Sequence, residues 1–199
     1  MATLEKSELL YGLGLGPNGR IAYLHGNGDK KPALTILEGG KIVNTFPDFT
    51  YPLIADGSSL IYLSLAWSPK GDQIAMVENP TDDSSNGGQL VIVDVNTGEK
   101  TVLMERVKSV IWSPDGRYLA VGKWQGGIEV VTPEGKSMLS LKEYWEPAAW
   151  SPNGKYLQLR GRTADEEQGF LEVATTQLLQ PHGLPLGWDN QGTAYFLSK

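Results

Sequence analysis

Arginines and aromatic rings in the polar segments of this chain are the residues best suited to bind a partner. Arginine carries a forked set of donors that fits a carboxylate, and exposed aromatic rings are typical anchors of protein interfaces. Three such segments follow one another in the second half of the chain. We therefore expect a site for a protein or peptide that contains Trp124, Gln125, Tyr144, Trp145, Arg160 and Arg162.

Each of these side chains has a structural alternative. Aromatic rings are buried more often than not, so Trp124 or Trp145 could instead pack in the core beneath its own loop. The two arginines could pair with the acidic residues 165–167 of the same segment. Both alternatives stay open on the sequence alone.

The two histidines, His25 and His182, also fall in polar segments, and we add them to the candidate binding residues. Without a neighbouring pair of carboxylates they make a weak metal site, and ordinary surface or hydrogen-bonded histidines are favoured. The run 82–87 resembles the start of a calcium loop, but its twelfth position is Val93, where a bidentate glutamate is needed. We expect no metal and no cofactor.

Catalytic motifs are weak throughout the chain. Gly12-x-Gly14-x-Gly16 resembles a phosphate-binding loop only superficially, because no helix is expected after it, and no Gly-x-Ser-x-Gly nucleophile motif is present. A glycosidase needs two carboxylates at one site. No context singles out a pair among those available, which are Asp29, Asp48, Glu78, Glu129 and Glu143. We expect a protein that is not an enzyme.

A five-residue turn pattern must position these segments. It is clearest at Trp112-Ser113-Pro114-Asp115-Gly116, with close copies at 67–71 and 150–154 and weaker ones at 15–19 and 188–192. Proline presets a type I turn, Asp or Asn follows it, and glycine takes the left-handed conformation that closes a hairpin. The tryptophan buries a large ring at the end of the preceding strand.

The copies recur at about 40 residues, which is the period of four-stranded β-propeller blades. The longer interval between Leu15 and Trp67 favours an extra hairpin over an abbreviated sixth blade at 53–57. A strand at 3–6 is expected to complete the last blade. The other strands are predicted at 10–15, 21–24, 33–37, 42–46, 65–67, 74–77, 90–95, 101–104, 110–112, 118–121, 128–131, 138–141, 148–150, 156–159, 170–173, 177–179, 186–188 and 194–197.

The turn pattern and the strand Leu90-Val91-Ile92-Val93-Asp94-Val95, which ends in Asn-Thr-Gly-Glu, resemble the repeat of TolB-like, WD-repeat-like β-propellers. The resemblance covers nearly all of the chain. It implies an all-β fold with about five four-stranded blades in a single domain over 1–199, an excised or incomplete ring being the alternative. That repeat occurs in periplasmic scaffolds and in peptidase propeller domains, so the fold does not fix the function.

In such a blade the Trp-Ser-Pro-x-Gly turns lie on one face, so the variable loops on the opposite face are expected to bind. We expect a non-catalytic scaffold for a protein or peptide. The alternatives are a propeller that binds a small molecule or carbohydrate, including a hydrolase, and a structural subunit of a larger assembly. The chain is expected to be a monomer or a subunit of a hetero-complex.

Composition argues against nucleic acid and membranes as partners. With 40% hydrophobic residues, the 199-residue chain can bury a substantial core, and its 24 glycines and 12 prolines favour strands and turns over helices. The net charge of −6 disfavours nucleic acid, and the absence of a long apolar run predicts no membrane insertion. The cytoplasm is expected if Met1 is the natural start, and the periplasm or the extracellular space if the domain was excised.

Overall fold

The fold consists almost entirely of β-strands. The computed structural model describes residues 9–26, 31–50, 63–79, 86–142, 145–161, 169–179 and 184–197. These ranges contain eighteen strands and one short 3₁₀ turn, Pro17–Gly19, which confirms the all-β prediction. The chain divides into two compact units, Met1–Val110 and Ile111–Lys199.

The first unit contains two sheets of antiparallel strands that follow chain order. A short strand, β5 (Leu63–Ser64), pairs in parallel with the first strand. The last strand of the second sheet continues for two residues into the second unit. The first sheet contains β1 (Leu9–Leu15), β2 (Ile21–Gly26), β3 (Ala33–Glu38) and β4 (Lys41–Phe46), and the second contains β6 (Ala66–Trp67), β7 (Gln73–Glu78), β8 (Gly88–Asp94) and β9 (Lys100–Trp112).

The second unit contains the remaining strands of a seven-stranded sheet that begins with β6, one four-stranded sheet and one hairpin. The end of β9 is followed by β10 (Leu119–Lys123), β11 (Ile128–Val131) and β12 (Ser137–Leu141) in one sheet. The next sheet contains β13 (Trp145–Trp150), β14 (Tyr156–Gly161), β15 (Gly169–Glu172) and β16 (Gln177–Leu179), and the hairpin contains β17 (Leu184–Trp188) and β18 (Ala194–Leu197).

Most of the predicted strands in the described ranges are confirmed, apart from small differences at their ends. The prediction of separate strands at 101–104 and 110–112 is wrong, because β9 runs without interruption from Lys100 to Trp112, and the short strand β5 was not predicted. The expected strand at 3–6 and the abbreviated blade at 53–57 lie outside the described residues.

Each unit has its own core. In the first, Ile74, Met76, Val91 and Val93 of β7 and β8 are nearly fully buried.

Gly14 in β1 and Gly16 directly after it make room for Leu65 and Trp67. A side-chain carbon added to Gly16 would lie 2.6 Å from the Trp67 ring, and one added to Gly14 would collide with the Leu65 carbonyl oxygen. The Trp67 indole N–H donates to the Gly14 carbonyl at 3.1 Å. The glycine-rich segment is therefore a strand shaped for packing, in agreement with its rejection as a phosphate loop.

Buried serines organise the Trp-Ser-Pro-x-Gly turns. Ser113 is 1% exposed; its hydroxyl donates to Asp115 at 2.7 Å and accepts the Tyr118 backbone N–H at 2.9 Å. Ser151 makes the same pair of contacts with Asn153 and Tyr156, at 2.8 and 2.9 Å. Each hydroxyl thus connects the turn to the start of the following strand.

Glycine conformation in the turns agrees with the sequence prediction. The last glycine of all five copies has a φ between 68° and 83°, as at Gly116 with 71° and Gly192 with 83°. Only glycine adopts this left-handed region without strain.

Removing the Ser113 hydroxyl is expected to destabilise the second unit. Ser113→Ala leaves the Tyr118 N–H without its acceptor, which costs about 1–3 kcal/mol of unfolding free energy. Chemical denaturation measures the loss. Ser140→Ala is the control, because Ser140 is exposed in β12. Equal stability of the two variants would contradict the role given to Ser113.

The Asp115 carboxylate is expected to make stability depend on acid pH. Burial opposes ionisation, but hydrogen bonds from the Arg117 backbone, the Ser113 hydroxyl and the Arg117 side chain outweigh it and hold the pKa of Asp115 below 3.8. A carboxyl whose pKa is lower in the folded state stabilises that state above the unfolded pKa, and this stabilisation is lost as the pH falls through the folded pKa.

Asp115→Asn tests this linkage, because asparagine occupies the same turn position at Asn153. Unfolding free energies of the wild type and the variant are measured from neutral pH down to about pH 2.5. We expect their difference to be constant above about pH 5 and to change in favour of the variant below about pH 4. If the difference in unfolding free energy between the two proteins is independent of pH, the charge of the Asp115 carboxylate contributes nothing to stability.

Candidate functional site

The sheets of the second unit have two distinct edges. The turn edge carries the turns at 113–116 and 151–154, which are adjacent, because a side-chain carbon added to Gly154 would lie 3.7 Å from Asp115 Oδ2. At the opposite edge β10, β12 and β14 end and β13 begins. We call this the loop edge and define it by Trp124, Gln125, Glu146 and Arg160.

Trp124 and Gln125 form the tip of the β10–β11 hairpin. The Gly126 N–H donates to the Lys123 carbonyl at 3.1 Å, and the Lys123 N–H donates to the Gly127 carbonyl at 3.0 Å. The φ angles of Gly126 and Gly127 are 94° and 92°, so this tight loop depends on both glycines. Trp124 is half-buried and Gln125 is exposed.

Trp145 belongs to the core. Its side chain is 8% exposed and packs in a cluster with Ala120, Ile128 and Leu159. This placement corrects the expectation that the Trp145 ring is exposed beside Trp124. The physical reason is register: Trp145 is the first residue of β13, opposite Gly161, and faces the neighbouring sheet.

Arg160 lies at the loop edge with an acidic neighbour. Its guanidinium donates to Glu146 Oε2 at 3.3 Å, and the two side chains are 65% and 17% exposed. The two residues are directly opposite each other on β14 and β13. The expected alternative, pairing with residues 165–167, concerns acidic residues outside the described ranges, and the described partner of Arg160 is Glu146.

The other predicted binding residues are placed differently. His25 lies in β2 and not in a loop, and its Nε2 is 2.9 Å from the Thr35 hydroxyl oxygen. This corrects the expectation of a loop histidine. Tyr144, Arg162 and His182 lie outside the described residues.

Two of the carboxylates considered for catalysis, Glu78 and Glu129, are engaged in structural contacts, whereas Asp48 is exposed. Glu78 is 5% exposed and accepts hydrogen bonds from Lys100 Nζ and the Thr50 N–H, both at 3.3 Å. Glu129 pairs with Lys123 at 3.2 Å. Within the described ranges, no three acidic or histidine side chains come together as a metal site.

The loop edge can bind a partner that offers both an apolar and an acidic group. A guanidinium has five N–H donors, and the described contact to Glu146 uses one of them. Glu146 was missed by the sequence-based prediction. Its signal is the pair of opposite charges across β13 and β14, which becomes visible only when the register is known.

Comparisons with known proteins support the fold. No family model matches the sequence, and no curated protein matches it. A chain in the crystal structure of a mitotic checkpoint complex is similar to this one, with a TM-score of 0.64 and 15% identity over 95% of this chain. The chain spans 58% of the length of that one. This likeness supports a WD-repeat-like β-propeller fold and concerns the fold alone.

In the part of the chain that the structure describes, no helix is long and apolar enough to cross a bilayer.

The different positions of the two tryptophans predict different effects on stability. Trp145→Ala removes a buried ring and is expected to cost about 3–5 kcal/mol of unfolding free energy. Trp124→Ala removes a half-buried ring from a hairpin tip and is expected to cost less than half as much. Denaturation with urea measures both losses. Equal losses would mean that Trp124 is as much a part of the core as Trp145.

Proposed function

We propose that this chain is a non-catalytic β-propeller module that binds a protein or peptide through the loop edge. The observation that carries the proposal is the presentation of Trp124, Gln125 and Arg160 at adjacent ends of rigid sheets. A half-buried ring, an amide and a guanidinium that is 65% exposed offer three kinds of contact. Rings and arginines are the residues most enriched at the centres of protein interfaces.

The charges at the loop edge favour a particular kind of partner. Arg160 is held in place by Glu146, so less side-chain entropy is lost when it binds a second carboxylate. The partner is therefore an acidic segment with an apolar residue beside the carboxylate. A role in binding a protein is compatible with the similar solved chain, whose structure is that of a complex.

The rest of the molecule serves this function as a scaffold. In the proposal the ring has about five TolB-like blades, and the chain acts as a monomer or as a subunit of a hetero-complex. Repeated blades hold loops at fixed positions, while loop sequences vary without loss of the fold.

Site-specific cross-linking tests the proposal. A photoreactive amino acid replaces Gln125 in the full chain, which is mixed with extract of the source cell, and the cross-linked partner is identified by mass spectrometry. We expect one dominant partner, and we expect Trp124→Ala or Arg160→Glu to reduce its yield about tenfold or more, as for a central interface contact.

Arg117 provides the matched control. It is an exposed arginine that pairs with Asp115, as Arg160 pairs with Glu146, but it lies at the turn edge. A photoreactive residue at position 117 is expected to give little or no cross-linked partner. The variant Arg117→Glu is expected to leave the yield from position 125 unchanged. Equal yields from positions 117 and 125 would refute the loop edge as the binding site, as would unchanged yield in both loop-edge variants.

A further inference from the structure

Two copies of the turn pattern contain the dipeptide Asn-Gly, Asn18-Gly19 in the copy at 15–19 and Asn153-Gly154 in the copy at 150–154. This dipeptide is chemically reactive, because glycine has no side chain to hinder its backbone nitrogen and leaves the chain free to rotate. That nitrogen can attack the side-chain amide carbon of the asparagine. Since the two dipeptides occupy the same positions of the pattern, their surroundings can be compared directly.

Asn153 is held by hydrogen bonds at both ends of its side-chain amide. Its Oδ1 accepts the Ser151 hydroxyl at 2.8 Å and the Lys155 N–H at 3.0 Å, and its Nδ2 donates to the Gln191 carbonyl at 2.8 Å. The nitrogen that would attack is also engaged, because the Gly154 N–H donates to the Ser151 carbonyl at 2.8 Å. These contacts must break before the nitrogen can reach the amide carbon.

Asn18 lacks such side-chain contacts. It is exposed, and its side chain makes no hydrogen bond to any described residue. A side-chain carbon built on Gly19 would have no atom within 4 Å, so the space beside this peptide bond is open. The backbone bond that spans the dipeptide, from the Arg20 N–H to the Pro17 carbonyl, is 3.2 Å long. Asn18 is therefore free to reach the reactive geometry.

The packing of Trp67 explains why this turn copy has no serine. Gly16 stands at the position of Ser113 and Ser151. A side-chain carbon added to Gly16 would lie 2.6 Å from the Trp67 ring, so serine cannot replace this glycine unless the ring moves. Close packing of the tryptophan thus leaves Asn18 without the hydroxyl that holds Asn153.

We propose that Asn18 is a site of spontaneous deamidation and that the product loosens the contact between the turns at 15–19 and 67–71. The Gly19 nitrogen loses its proton and bonds to Asn18 Cγ, and the side-chain nitrogen leaves as ammonia, which gives a cyclic succinimide. Water then opens the ring at one of its two carbonyl carbons and forms aspartate or isoaspartate. The reaction consumes water alone, and it does not depend on the function proposed for the loop edge.

Isoaspartate at position 18 alters a turn that connects the two sheets of the first unit. It adds one carbon to the main chain of a turn that is closed by the bond from the Gly16 N–H to the Arg20 carbonyl, at 2.8 Å. The Arg20 guanidinium donates to the Gly71 carbonyl at 2.7 Å and lies 5.2 Å from the centre of the Trp67 ring. A longer turn displaces Arg20 from both contacts, so the modified protein is expected to melt at a lower temperature.

Peptide mapping of aged protein tests the proposal. The full chain is incubated at mildly alkaline pH and digested with trypsin, which leaves Asn18 and Asn153 in separate peptides, 7–20 and 143–155. Mass spectrometry measures deamidation of each peptide, and enzymatic methylation detects isoaspartate. We expect the peptide 7–20 to deamidate about tenfold faster than the peptide 143–155, because several hydrogen bonds must break before Asn153 reacts.

The unfolded chain is the matched control. In denaturant both dipeptides are free of tertiary contacts, so we expect the two rates to become nearly equal. Ser151→Ala removes the hydroxyl that holds Asn153 and is expected to speed deamidation of the peptide 143–155 several-fold, with no change in the peptide 7–20. Asn18→Gly keeps the left-handed backbone, since the φ of Asn18 is 58°, and removes the reactive amide. Melting temperatures of the fresh proteins verify folding.

Three results would overturn the proposal. Equal rates for the two peptides in the folded chain would contradict the protection of Asn153, and an absence of product in the peptide 7–20 would exclude Asn18 as the site. The deamidated fraction is separated by its added negative charge. If it melts at the same temperature as fresh protein, or if aged Asn18→Gly loses as much stability as the aged wild type, the effect on the contact between the turns is wrong.

Discussion

A buried hydroxyl that must be both donor and acceptor is the constraint on which the sheets depend. Ser68, Ser113 and Ser151 are between 0% and 4% exposed, and a buried polar group without partners would cost several kcal/mol. The hydroxyl accepts a backbone N–H at the start of the second strand and donates to a nearby carboxylate or amide. In the copy at 67–71, Lys70 stands at the position of Asp115 and Asn153. There Asp72 is the acceptor for the Ser68 hydroxyl, at 2.8 Å. The requirement is therefore an acceptor for the serine, and its sequence position can shift.

The same turns also contact each other, so their side chains have a structural role. Asn153 Nδ2 donates to the Gln191 carbonyl at 2.8 Å, and in the first unit the Arg20 guanidinium donates to the Gly71 carbonyl at 2.7 Å. Each bond joins one turn copy to the next in its unit. Side chains used in this way are unavailable to a partner. The loop edge has no such repeated sequence, so its residues can vary without disturbing the pairing of the strands.

The periodic part of the fold could be predicted from the sequence, and the positions of single side chains could not. Strands and turns recur with their signals, so each copy supports the assignment of the others. Trp124 and Trp145 both follow polar segments and look alike in the sequence, yet one is half-buried at a hairpin tip and the other is buried. The difference depends on register and on the face that each residue presents. The contact between Arg160 and Glu146 depends on register for the same reason.

The last hairpin, β17–β18, departs from the repeat in the length of its turn. Its turn is one residue shorter, because Trp150 is opposite Leu157 whereas Trp188 is opposite Ala194. A shift of one residue moves every following side chain to the other face of a strand. Phe196 thus faces the preceding sheet, and Tyr195, which a fixed repeat length would place there, is 53% exposed. The shorter turn also brings the small side chain of Ala194 to the position of a leucine. The one-residue difference in the turn thus accounts both for the exposed Tyr195 ring and for the pocket of about 420 Å³ that Trp188, Ala194 and Phe196 line.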